Sequence, residues 1–208
     1  MPALPAPGAG LTEITAETLD PRARERVPIG WWGAAILIAS EGALFAMMIG
    51  TYFYLRFRTP TWPPAGVPKP HLLVPLVVLG CLTLTAVPMQ LASVAGQAGR
   101  LRPTRWLLAL SALVGAGYFW VEVWDFAQAL HTSTPQRDAY DSIYYTLLAA
   151  DHAHVAVAVL LVLWLLWKLR YGFTRYRTTA LRAIVFFWHA VIVLTIAVIL
   201  TTLSPSFT

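Results

Sequence analysis

Hydrophobic positions fall into five long runs separated by short polar stretches, and each run is near the roughly 20 residues an apolar helix needs to cross a bilayer. The runs cover about 31–55, 72–95, 106–130, 142–167 and 183–203. The polar stretches between them are turn-like. RFRTPTWPPAGVPKPH is too rich in proline to continue a helix, GQAGRLRPTR and RYGFTRYRTT are basic, and HTSTPQRDAYD is mixed. Pro75 and Pro88 fall inside the second run and are expected to kink it, which neighbouring helices can accommodate. The pattern predicts an all-α integral membrane protein, a bundle of five transmembrane helices spanning residues 29–208. Residues 1–28 hold Ala, Pro, Gly and charge without apolar periodicity and carry no hydrophobic core of a signal peptide, so they are expected to form a disordered cytoplasmic tail.

Composition strengthens that reading. Of 208 residues, 58% are hydrophobic and 12% charged, against roughly 25% charged in an ordinary soluble domain. The single cysteine, Cys81, excludes an internal disulfide and a thiol-pair metal site. The net charge of +5 does not point to nucleic acid, because the basic residues cluster at the ends of apolar runs, where they face lipid head groups. Their distribution predicts orientation instead. Arg22, Arg24, Arg26, Arg100, Arg102, Arg105, Lys168, Arg170, Arg175, Arg177 and Arg182 lie on one side, and Arg56, Arg58, Lys69 and Arg137 on the other. The positive-inside rule then puts the N-terminus inside and the C-terminus outside.

Ionisable residues within the runs are the candidates for function, since a charge at bilayer depth is costly and faces protein or a polar cavity. Glu41 is the deepest acid, with no Lys or Arg in its span before Arg56, fifteen residues on. It reads either as a proton-exchanging carboxyl or as a protonated acid hydrogen-bonded to Ser40 or a neighbouring helix. In LLAADHAHVAVAV, the 100° turn per residue sends His152 and His154 nearly opposite ways, so they do not chelate one metal. Asp151 and His154, three apart, share a face and are expected to pair. His189 lies on the fifth run, at a depth that does not match His154 and so argues against a haem between them. Glu122 and Asp125, with Trp120 and Trp124 beside them, read as anchoring acids in an interfacial aromatic belt, in contact with water. Small residues recur every fourth position as Gly42, Ala46 and Gly50 and as Ala35, Ala39 and Ala43, ridges that predict close packing of the first helix against protein.

The stretch IGWWGAAILIASEGALFAMMIGTYFYLR resembles the first span of the five-helix bacterial form of the cytochrome c oxidase subunit III family, in Trp32, Gly33, Ser40, Glu41, Phe45, Ala46 and Tyr52 through Arg56. LTAVPMQLA, YFWVEVWDF, ADHAHV and FFWHAV extend the likeness over about residues 29 to 203. ADHAHV is similar to the family's His-x-x-His-Val, and FFWHAV to its Tyr-Trp-His-Phe-Val. This chain departs from the pattern at Glu122 and Asp125, where the family commonly shows Gln and Glu, at Asp151, where its first His stands, and at Ile192, where an Asp often follows Trp-His.

The resemblance implies a non-catalytic subunit of a haem–copper terminal oxidase in aerobic respiration. Such a subunit packs on subunit I in a complex that also contains subunit II, binds phospholipid, and supports proton uptake and stability of the complex. It implies no catalytic, cofactor or metal residue in this chain, with haems and copper in the partner subunits. Cytochrome c or quinol then acts on the complex, and the location is the bacterial inner membrane. Glu41, Glu122, Asp125, Asp151, His154 and His189 are the buried polar residues of interest, and Glu41 becomes a carboxyl that supports a helix interface and assists proton uptake. A quinol oxidase subunit and a homologue accompanying nitric oxide reductase fit the same resemblance. From other classes, a small proton-coupled transporter using Glu41, Glu122 and Asp151 is disfavoured by the lack of a detectable repeat, and a haem b anchor by the unmatched histidines.

Overall fold

The structure is a computed structural model that describes residues 29–67 and 72–207. The tail expected over 1–28 and Lys69 lie outside the described residues. Among the described residues six helices make five membrane-long rods. They are α1 (Ile29–Arg58), α2 (Leu73–Leu84) and α3 (Ala86–Gln97), which together form the second rod, α4 (Leu101–Thr132), α5 (Ala139–Lys168) and α6 (Arg175–Leu203). Single turns of 3₁₀ helix, Leu169–Tyr171 and Ser204–Phe207, follow α5 and α6. Among the described residues there is no strand, as a chain in lipid requires when each segment must satisfy its own backbone.

The helices outrun the hydrophobic runs. α4 and α6 begin five and eight residues before the apolar stretches at 106 and 183, taking in Arg102, Arg105, Arg175, Arg177 and Arg182. At a rise of about 1.5 Å per residue, 32 residues of α4 extend roughly 48 Å, more than the ~30 Å hydrocarbon core. The basic first turns therefore reach the head-group layer. Local signals set the ends. The side chain of Asp138 accepts a hydrogen bond from the Asp141 backbone N–H at 2.9 Å, and that of Thr174 from the Arg177 N–H at 3.2 Å, capping α5 and α6. Gly99 reverses the chain after α3 at φ 70°, a conformation open to glycine, and the Arg100 N–H then reaches back to the Ala95 carbonyl at 2.9 Å.

The two prolines of the second rod behave differently. Pro75 is the third residue of α2, where its missing N–H costs no helical hydrogen bond. Pro88 sits within the rod and clashes with the carbonyl four residues back. The helix breaks at Thr85, whose N–H turns to the Leu82 carbonyl at 3.0 Å and whose hydroxyl donates to the same oxygen at 2.5 Å. Only Pro88 breaks the helix.

Packing centres on α6, which contacts α1, α2, α3 and α5. Its apolar face meets Leu108, Ala112, Val155, Val159 and Val162 of α4 and α5 in a core that includes Leu181, Trp188 and Ile192. Trp188, 2% exposed, donates its indole N–H to the Thr85 hydroxyl oxygen at 2.9 Å, tying α6 to the break in the second rod. Gly115 makes room for that ring, since a Cβ there would sit 2.6 Å from the Trp188 Cη2 atom. A second cluster gathers near the α4–α5 loop, where Trp62 meets Tyr52 and Tyr140 edge-on at 5.2 and 4.9 Å.

α1 lies to one side, against α5 and α6. Its buried or half-buried stripe is Glu41, Phe45, Met48 and Tyr52. The small-residue ridges take another course from the expected one. Ala39, Ala43, Ala46 and Gly50 are exposed, two positions or about 200° from the inward stripe, and a Cβ added at Gly42 or Gly50 would meet nothing within 4 Å. Within this chain the helix packs through its large residues, and the ridge faces outward.

Candidate functional site

The segment Asp151–His152–Ala153–His154 lies near the middle of α5, about 18–22 Å from Ala139. Successive helical positions turn by 100°, so three polar side chains on four residues leave the helix in three directions. Each meets a different helix. Asp151 Oδ1 accepts a 2.7 Å hydrogen bond from the Thr195 hydroxyl of α6, both residues fully buried. His152 Nε2 lies 3.8 Å from Glu122 Oε2 of α4. His154 Nε2 lies 3.2 Å from Glu41 Oε2 of α1.

In the last pair the histidine's other nitrogen is also engaged. His154 Nδ1 is 2.7 Å from the Ala150 carbonyl, an oxygen that only accepts, so Nδ1 carries the hydrogen and donates. Nε2 then faces Glu41 either bare or protonated. A hydrogen between Nε2 and Glu41 Oε2 satisfies both groups at this distance. That is the cheapest way to keep an acid at this depth. Phe45 meets the His154 ring edge-on at 5.1 Å and restricts its rotation. Ser40, expected as a partner of Glu41, instead donates to the Ile36 carbonyl at 3.0 Å, one turn back on its own helix.

The Asp151–His154 pair expected from their spacing does not form. Each side chain finds a partner on another helix, which satisfies it and fastens two helices together, whereas an internal pair would satisfy both and fasten none. Glu122 departs from the interfacial reading but is buried as a polar residue of interest, whereas Asp125, also expected to be buried, is not. Glu122 is 6% exposed and turned into the bundle, whereas Asp125 and the flanking Trp120 and Trp124 are exposed as an interfacial belt requires. Three residues of α4 span 300°, enough for the two acids to diverge by 60° and meet different surroundings. His189 donates from Nδ1 to the Val185 carbonyl at 2.7 Å and borders a cavity of about 330 Å³ with Trp31, Gln90 and Arg182. Trp31 and Glu41 are ten residues apart, about 15 Å along α1, so His189 and His154 stand at different levels of the bundle.

Reasoning from the sequence left His152, Thr195 and Tyr118 unassigned. A signal for His152 was present, because the 100° fan that separates it from His154 also predicts a partner on a third helix. The Glu122–His152 contact is loose. Glu122 Oε1 and His152 Nε2 are buried with no hydrogen-bond partner among the described residues. The Tyr118 hydroxyl is in hydrogen-bonding reach of the Asp151 carboxyl. An unsatisfied buried polar atom costs about 1–3 kcal/mol, so the two side by side imply a further partner. Glu122 also forms part of the wall of a cavity of about 440 Å³ that runs to the α4–α5 loop past Ala129, Ser133 and Tyr145. Among the described residues no three His, Cys, Asp or Glu side chains group as metal ligands.

No family model matches the chain. It is similar to cytochrome c oxidase subunit 3 of Bacillus sp. strain PS3, 25% identical over 191 residues that cover 85% of this chain and 88% of that one. Cytochrome c oxidase subunit 3 of Bacillus subtilis strain 168 is 26% identical over 189 residues, again 85% and 88% of the two chains. Cytochrome bo(3) ubiquinol oxidase subunit 3 of Pseudomonas aeruginosa is 25% identical over 162 residues, 77% of this chain and 76% of the relative.

Proposed function

We propose, for a chain of the cytochrome c oxidase subunit III family, that it is the non-catalytic subunit III of a haem–copper terminal oxidase in the inner membrane of a bacterium. The observation that carries this reading is similarity running over most of both chains, to proteins of about the same length, on a bundle with the expected five membrane-long rods. In this reading the haems and copper reside in subunits I and II, and this chain packs on subunit I. The outward Ala39–Ala43–Ala46–Gly50 ridge of α1 supports that contact. Helices in lipid associate by close packing of small residues, and this ridge is open on the side away from its own bundle. Phospholipid fills the remaining grooves. The Glu41–His154 pair holds α1 on α5 and supplies an exchangeable proton that assists uptake by the complex without being obligatory for oxygen reduction. Cytochrome c is the electron donor in the favoured form. A quinol oxidase subunit is the second reading, supported by the bo(3) relative.

Purification through a tag on this chain in mild detergent tests the assignment. Larger haem-bearing chains are expected to come with it in fixed ratio, and the chain stripped of them is expected to show no Soret band. A chain that elutes alone, or that keeps a stoichiometric Soret band after His154→Ala, would overturn the assignment. Orientation follows the basic loops. A reporter joined after Thr208 is expected to be active only outside the cytoplasm, and activity only inside would reverse the topology.

A further inference from the structure

Glu122 lines the 440 Å³ cavity with its Oε1 buried and unpartnered among the described residues, and His152 Nε2, likewise unpartnered, lies 3.8 Å behind its other oxygen. We infer that water enters the bundle from the α4–α5 loop end and that Glu122 and His152 hold an exchangeable proton there, in a pocket closed toward the opposite face. The cavity has room for several waters, and it offers what a buried water needs, two to four polar contacts. Glu122 Oε1 accepts from water, while His152 Nε2 donates or accepts according to its protonation. The 3.8 Å between His152 Nε2 and Glu122 Oε2 is too long for a direct hydrogen bond and suits groups that share solvent.

The groups facing this pair come from every helix around it. α4 supplies Tyr118 and, toward the mouth, Asp125. α5 supplies Asp151 beyond the pair and Asp141, Tyr144 and Tyr145 along the wall. Arg137, at the rim, is held by Asp141 at 2.8 Å and by Asp138 at 3.3 Å. α2 and α6 offer no ionisable side chain to the cavity, only Val74, Pro75, Ile199, Thr202 and Leu203. Acids thus predominate along the path, which favours a proton over an anion. The helices beyond carry the packed core of Val155, Trp188 and Ile192, with Gly115 against the Trp188 ring. A proton arriving from the mouth converts Glu122 to its acid or His152 to imidazolium and leaves by the same route, so the site stores a proton and conducts none across.

The inference does not depend on the oxidase assignment and is tested on the full chain alone in sealed vesicles. In a Cys81→Ser background, Ala129→Cys and Glu122→Cys probe the wall and the blind end. Gln136→Cys in the α4–α5 loop and Arg102→Cys at the other end are the controls. A membrane-impermeant thiol reagent is expected to label both cavity positions from the side that labels Gln136→Cys. Failure to label Glu122→Cys, or labelling from the side of Arg102→Cys, overturns the pocket. Infrared spectra of the Cys-free chain provide the second readout, with Glu122→Gln as the shape-preserving variant. A carboxyl band that shifts in heavy water and is lost in Glu122→Gln is expected. Absence of a deuterium-sensitive, Glu122-dependent band over the whole accessible pH range overturns the proton site even if the fold survives.

Discussion

Trp188→Ala is expected to destabilise the bundle by roughly 3 kcal/mol, the low end of the range for losing a buried aromatic ring, because lipid already shields apolar surface in the unpacked state. What is lost is shape. The ring is 2% exposed, fills the space that Gly115 leaves, and touches the core shared by α4, α5 and α6. Its N–H also meets Thr85 at the break between α2 and α3. Trp188→Phe keeps much of the volume and gives up the hydrogen bond, a loss of about 1 kcal/mol, since the Thr85 hydroxyl still donates to Leu82. Thermal unfolding of the purified chain in detergent separates the two contributions. Equal losses for Ala and Phe would show that the indole N–H, and not the packing, carries the residue.

Glu41→Ala is expected to loosen α1 and to lower the yield of intact complex, with a cost of about 1–3 kcal/mol for leaving the His154 nitrogen without its partner. Glu41 makes a polar contact that joins α1 to α5, at 3.2 Å, beside apolar and aromatic residues such as Phe45 and Tyr52. Glu41→Gln should be tolerated. With His154 Nδ1 donating to Ala150, Nε2 is free to accept from the Gln amide, so the contact survives while the titratable proton is gone. The measurement is the fraction of complex that survives a temperature series, compared for the three forms. If the Gln form fell apart like the Ala form, the contact would need the carboxyl group itself, and a hydrogen bond to His154 Nε2 would not account for it.

Five apolar runs located five rods, because a chain in lipid that satisfies its own backbone has little choice but helix. The ends were less legible. Hydropathy marks the part of a helix that meets hydrocarbon, whereas Leu101–Arg105 and Arg175–Arg182 are helical in the head-group layer and read as loops. Among the polar residues, the divergence of His152 and His154 could be read from helical geometry alone. The partners could not. Spacing gave Asp151 and His154 a common face, but Thr195 and Glu41 lie 44 and 113 positions away in the chain, and only the docking of α1 and α6 brings them near. Glu122 was misplaced for a related reason. An acid next to exposed tryptophans looks interfacial until the direction of each side chain is known, and one turn of helix puts Asp125 in the belt and Glu122 inside. The small-residue ridge of α1 was visible as a pattern, yet the surface it serves lies outside this chain.

The proposed role is support of a redox complex whose redox centres lie in other subunits. Haem content and oxygen consumption, followed over time in complex purified with and without the chain, test that directly. Without it, the haem spectrum and the initial rate of oxygen reduction are expected to persist, while activity decays faster over successive turnovers. Loss of a stoichiometric haem band together with all oxygen reduction from the first turnover would contradict the account.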